Sequence, residues 1–228
     1  GTFVISTGSS MSSARIQHVC KGSDQYERID ALDGQARRVH RHNALVQTVW
    51  PQSKMALVEE RDTAVGHDFP GFWPAAGQRI ATHYEVKPQG VERIAGQEAD
   101  VVWLKPRDEA RFGHRLWAAR PSGLLLRAEV VDERGDVLEW SAFSEVQIGG
   151  RIPLEQVVLT PAQLAGYTVR HSARVPTELK REGWALTPTV PGFAQVSCVK
   201  RPGAAGGAEA DMLQVIYSDG LTHVSMFI

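Results

Sequence analysis

Apolar and polar residues alternate along most of this chain in short runs that end at Gly, Pro, Asp or Asn. The period of two is clearest across 111–146. There Phe112, His114 and Leu116 alternate with Arg111, Gly113 and Arg115. Past a turn at Pro121-Ser122-Gly123, Leu124, Leu126, Ala128 and Val130 alternate with Leu125, Arg127, Glu129 and Val131. A second turn, Asp132-Glu133-Arg134-Gly135-Asp136, leads into a strand over 137–143. Such alternation between turn residues predicts an antiparallel meander. The same grammar upstream predicts strands over 2–6, 13–19, 25–29, 35–41, 45–50 and 55–60, with Asp33-Gly34 as a two-residue hairpin turn. Short strands at this spacing indicate a barrel, half-barrel or sandwich rather than βαβ units.

The pattern breaks over 63–77, where Phe69, Phe72 and Trp73 sit among Pro and Gly. Two readings stand: the segment folds back to plug one end of the core, or it forms a lip over an apolar cavity. Strands resume over 82–87 and 91–94, and the apolar run 99–104 predicts a central strand buried on both faces. Beyond Val146 the grammar changes. Thr160-Pro161 is an N-cap and first helical residue for a short turn over 162–164, and a closing hairpin pairs 213–217 with 221–228 around Ser218-Asp219-Gly220. The expected organisation is a large β domain over 1–148, a linker over 149–163 and a small domain over 164–228.

At 228 residues the chain has ample length to bury a core, and its net charge of −1 makes no electrostatic case for nucleic acid or an anionic membrane. No apolar run approaches the ~18–20 residues that span a bilayer. The sequence opens on a strand pattern with no initiator Met and no charged leader, so it reads as a mature or trimmed segment. Cys20 and Cys198 are far apart in sequence, which leaves both a disulfide and two free thiols open.

Few residues suggest chemistry. No phosphate-cradling glycine loop, Cys-x-x-Cys, His-Glu-x-x-His or nucleophile elbow is present. His40 and His42 share a strand face, but the neighbouring Arg37, Arg38 and Arg41 oppose a bound cation, so no metal site is expected. Ser, His and Asp occur only as isolated residues, and Ser218-Asp219-Gly220 reads as a turn. No catalytic residue and no cofactor is expected. What remains is aromatic: six tryptophans, five of them before residue 150. A curved sheet carrying that many large side chains packs them in a core or leaves some on the wall of an apolar groove.

Several runs resemble the RseB/MucB family of periplasmic regulators of the envelope-stress sigma factor. They are Gly1-Thr2-Phe3-Val4, the run from Met11 to His18, Glu27-Arg28-Ile29, Leu32-Asp33-Gly34, Arg93-Ile94-Ala95-Gly96 and Pro106-Arg107-Asp108. Arg111 to Trp117, Gly123 to Arg127, Asp132 to Glu139, Pro191-Gly192-Phe193 and Tyr217 to Leu221 continue the series. Leu125 departs from the Pro expected in the family's turn, and the Ala/Gly-rich 201–211 lacks obvious contact residues. The resemblance implies a mainly β (α+β) fold: an antiparallel half-barrel similar to the lipoprotein carriers LolA and LolB, with helices at its mouth, then a small α/β domain. It implies a periplasmic, non-enzymatic negative regulator that binds the periplasmic segment of an RseA/MucA-type anti-sigma factor and shields it from regulated proteolysis. Lipid or lipopolysaccharide acyl chains would release that block, and a homodimer stays open. The lipid-groove candidates are Trp50, Phe69, Phe72, Trp73, Trp103 and Trp117. The partner-binding candidates are Trp184, Phe193 and Tyr217. The alternative is a periplasmic lipid or lipoprotein carrier that uses the same cavity.

Overall fold

The structure, a computed structural model, describes residues 1–61, 77–187, 189–201 and 211–228. The first six strands, β1 (Thr2–Thr7), β2 (Ser10–Lys21), β3 (Asp24–Ala31), β4 (Arg38–His42), β5 (Leu45–Trp50) and β6 (Met55–Glu60), form an unbroken antiparallel meander. After helix α1 (Gly77–His83) a second meander runs through β7 (Tyr84–Ile94), β8 (Gln97–Pro106), β9 (Gly113–Ala119), β10 (Leu125–Val131) and β11 (Val137–Glu145). The stretch 111–146 thus supplies the three expected strands β9–β11. Pairing of β1 with both β2 and β11 fuses the two meanders. Strand β12 (Thr168–Ser172) adds to β6 in parallel and completes a twelve-stranded open sheet whose edges are β12 and β7.

The remaining strands, β13 (Val175–Pro176), β14 (Ala194–Arg201), β15 (Met212–Ser218) and β16 (His223–Phe227), make a separate four-stranded antiparallel sheet. The closing hairpin β15–β16 has the expected place. Among the described residues this sheet carries turns and no α-helix. The expected linker holds two 3-10 turns, Leu154–Gln156 and Pro161–Leu164. In the second, Gln163 reaches back to the Thr160 amide at 2.8 Å, so the start signal read from Thr160-Pro161 is in use.

Two local expectations change. Asp33-Gly34 does not close a two-residue hairpin, since six residues separate Ala31 from Arg38. Asp33 Oδ2 instead accepts hydrogen bonds from the Ser13 amide (2.6 Å) and hydroxyl (2.7 Å), which pins the loop to β2. The run 99–104 is not buried on both faces: β8 lies one strand in from the β7 edge, Ala99, Val101 and Leu104 are buried, and Asp100 is exposed. Trp103 gives the run its continuous apolar look. Its indole lies flat where Gly113 of β9 leaves room, and the Arg115 guanidinium covers it at 5.6 Å.

The main core gathers Phe3, Ile16, Val101, Trp117, Leu126 and Phe143 from both meanders. Behind it, on the opposite face of β2–β4, the segment after β11 crosses as a strap. The register aligns Gln17, Arg28 and His40 across three strands. Gln17 and Arg28 donate to Gln156, each at 3.1 Å, and His40 Nδ1 meets the Val157 carbonyl at 2.7 Å. Val157 is buried beneath this row. The strap carries the chain from the middle of the sheet to its β6 edge.

Candidate functional site

The curl of the large sheet leaves a groove of about 770 Å³. Strand alternation builds its floor: Phe3, Ile5, Ala14, Ile29, Val39 and Thr48 fall on one face through successive registers. Trp50 adds aromatic surface, and charges of both signs, among them Arg37, Arg41, Asp33 and Glu139, share the lining. Several of these charges already have protein partners. Asp33 is held by Ser13, and Arg41 donates to Glu27 at 3.2 Å. An apolar interior with paired charges suits acyl chains or apolar side chains better than an anionic substrate.

The lipid-groove candidates separate in space. Trp50 lines the groove. Trp117 is 3% exposed in the main core, with its indole Nε1 donating to Glu92 at 2.9 Å and Arg127 stacked at 5.0 Å from its ring. Trp103 is packed against β9 as described and is not among the groove residues. Phe69, Phe72 and Trp73 lie outside the described residues. Trp140 is on the groove's border, but Ser141 beside it pairs with Ile5 of the floor, so its indole takes the other face of β11, 5.8 Å from the Arg127 guanidinium.

The second feature joins the two sheets. Asp219, in the β15–β16 turn, is 0% exposed. Its Oδ1 accepts the Leu221 and Thr222 amides at 2.9 and 2.8 Å, which shapes the turn. Its Oδ2 faces the large sheet and accepts Tyr84 Oη at 2.9 Å and Arg111 Nε at 3.0 Å. Arg111 also pairs with Asp108 and donates Nη2 to the Pro191 carbonyl at 2.5 Å. Phe193 lies 5.1 Å beneath its guanidinium. Gly192, at φ +82°, has no side chain where one would strike Arg111 and His83. Burial, together with the Asp219 charge, raises the Tyr84 hydroxyl pKa. His114 Nε2 meets Thr222 Oγ1 at 3.3 Å, and burial pushes this imidazole down to about 4 although the Asp219 charge opposes the shift. Leu221 packs on Ile80, Tyr84, Leu104 and Leu116 and adds an apolar contact.

Sequence reasoning took Asp219 as a turn residue and Arg111 as a strand residue. The first describes a local role; Arg111 instead lies in a bend two residues before β9, and no local signal links positions 108 residues apart. Of the partner candidates, Phe193 serves this junction. Tyr217 packs half-buried beside the small core of Leu179, Cys198, Leu213 and Val215. Trp184 is 51% exposed. Among the described residues no group of three His, Cys, Asp or Glu could hold a metal ion. Both cysteines are free, Cys20 exposed and Cys198 buried.

Known proteins place this architecture. Family models described as the MucB/RseB N-terminal domain and the MucB/RseB C-terminal domain match residues 1–162 and 178–228. The sigma factor AlgU regulatory protein MucB of Pseudomonas aeruginosa is 27% identical over 232 residues, covering 100% of this chain and 68% of that protein. The sigma-E factor regulatory protein RseB of Haemophilus influenzae is 25% identical over 150 residues, 66% of this chain. That match spans 47%, about half, of the Haemophilus protein's length. The solved complex of Pseudomonas aeruginosa MucA and MucB superposes with a TM-score of 0.68 at 24% identity, covering 100% of this chain and 72% of that one, which shows a shared fold. With both of its parts matched in order, the chain belongs to the MucB/RseB family.

Proposed function

We propose that this chain is a periplasmic negative regulator of an envelope-stress sigma factor. It binds the periplasmic segment of an RseA/MucA-type anti-sigma factor and shields that segment from regulated proteolysis. The observation that carries this reading is the match of both family domains, together with relatives named as sigma factor regulatory proteins and the MucA/MucB complex of a protein with this fold. The groove supplies the second half of the reading. Lipid acyl chains enter over Trp50, and binding there disfavours the partner complex by differential affinity between two arrangements of the protein. Trp184, exposed in the connection between β13 and β14, serves as an anchor for the partner.

The test is protease protection of the anti-sigma segment with and without lipid vesicles or lipopolysaccharide. The reading expects protection by the chain alone and its loss as lipid is added. Trp50→Ala should weaken the lipid effect about tenfold or more while leaving protection without lipid intact. Failure to bind the segment in lipid-free buffer would sink the regulator reading. Lipid binding that leaves protection unchanged would point to a carrier using the same groove.

A further inference from the structure

Beyond the groove, β2 carries a second constellation. Alternate residues of a strand share a face, so His18 and Cys20 stand side by side. The β2–β3 register sets Glu27 opposite His18, and the β3–β4 register sets Arg41 opposite Glu27. His18 Nε2 lies 3.1 Å from Cys20 Sγ, and His18 Nδ1 lies 3.0 Å from Glu27 Oε1. The carboxylate selects a tautomer. With Nδ1–H donating to Glu27, Nε2 turns its lone pair to the thiol proton. Burial would raise the Glu27 carboxyl, but the hydrogen bond from His18 and the Arg41 charge outweigh it and hold the group below its ordinary value. Glu27 is therefore an anion at neutral pH and fixes the orientation of the His18 ring by accepting from Nδ1–H. Arg41 shares this carboxylate without displacing His18. Solvent reaches the sulfur, since Cys20 is exposed.

We propose that Cys20, with His18 as its base and Glu27 positioning that base, is a covalent modification site that exchanges with low-molecular-weight disulfides. In the exchange, Cys20 Sγ passes its proton to His18 Nε2 and attacks one sulfur of the incoming disulfide. A new S–S bond forms to Cys20 as the old one breaks, and the departing thiolate takes the proton from the imidazolium. Cys20 is oxidised and the departing sulfur is reduced, so the disulfide itself is the only oxidant. A small thiol reverses the step by attacking the mixed disulfide. A base that takes the thiol proton as the sulfur attacks speeds the exchange relative to a thiol with no such neighbour. The site does not depend on the regulator reading.

The test uses the whole chain with glutathione disulfide, read by intact mass, and with an aromatic disulfide whose thiolate is coloured, read as rate from about pH 5 to about pH 9. One adduct per chain is expected. It should map to Cys20, be lost in Cys20→Ser and be kept in Cys198→Ser. Near neutral pH the unmodified chain should react about tenfold or more faster than His18→Gln. Glu27→Gln should move the pH profile toward that of a simple thiol. Equal rates and profiles for the parent and His18→Gln, or an adduct on Cys198, would overturn the proposal. Should His18→Gln unfold, the parent profile decides alone: a single ionisation at the ordinary thiol pKa overturns it.

Discussion

At Asp219 one side chain does two jobs, and the energies decide which matters more. The Oδ1 bonds to the Leu221 and Thr222 amides shape a turn that many residues could form at modest cost. The Oδ2 bond to Arg111 joins two side chains that are both 0% exposed. Removing one partner of such a pair strands a charge in the interior and costs about 3–5 kcal/mol. Asp108, whose own side chain is 43% exposed, offers Arg111 partial compensation, so the lower end is expected. Asp219→Asn, nearly isosteric and still able to accept the turn amides, should therefore destabilise the protein by about 3 kcal/mol in urea unfolding. Asp108→Ala should cost under about 1 kcal/mol, because its exposed carboxylate gains little from pairing. A reversed order would place the junction's energy on the exposed side of Arg111. At this scale the sequence was least informative. Trp50, Trp103, Trp117 and Trp140 all sit in alternating strands, yet of these four Trp50 alone turns its ring to the groove, because curvature and the Gly113 gap set their surroundings as much as periodicity does.

Among elements, legibility follows the range of the cause. The meander β9–β11 and the closing hairpin β15–β16 were readable because alternation and turn residues are local. The Asp33 loop misled because the Ser13 groups that hold it lie 20 residues away. Strand β12 had no such local signal, because its parallel seat on β6 depends on the strap of Gln156 and Val157 across the back of the sheet. Close packing between β8 and β9 gives a test at this scale. A Cβ on Gly113 would lie 2.3 Å from Cη2 of Trp103, the far end of a rigid ring. Gly113→Ala should thus cost about 1–3 kcal/mol and change the tryptophan emission, since the indole must leave its bed beneath Arg115. Adding Trp103→Leu should recover part of the loss relative to Trp103→Leu alone. Purely additive effects of the two substitutions would show that the indole is not what crowds position 113.

For the whole molecule, family runs spread from Gly1 to Leu221 made the two-part plan legible, while the chemistry that docks one sheet on the other was not. That chemistry makes docking sensitive to acid. His114, facing Tyr84, Asp219 and Thr222, has its pKa pushed by burial from the ordinary 6.5 to about 4. His40, under the strap, is lowered by burial and by Arg28 and Arg38, against the Val157 carbonyl and Asp30. In both cases the fold favours the neutral ring. Their contributions are complete above pH 6.5, where both states are neutral, and fall as pH descends, because the unfolded chain takes up the proton first. For His114 the loss runs from 6.5 toward about 4 and amounts to about 2 kcal/mol, the full shift being discounted for its partial exposure. Carboxylates act lower. Glu27 and Asp30 are held below their ordinary 4.5 and 3.8, so the stability they confer is present above those values and lost only as pH falls through their depressed ones. The interval between 6.5 and 4.5 therefore isolates the histidines. Urea unfolding across it should show stability falling with pH, and His114→Gln, which keeps a donor for Thr222 without a titrating ring, should flatten much of that slope. A parent protein whose stability is level over this interval would show that His114 is hydrated and free to charge in the folded state, and that the junction holds through Arg111 and Asp219 alone.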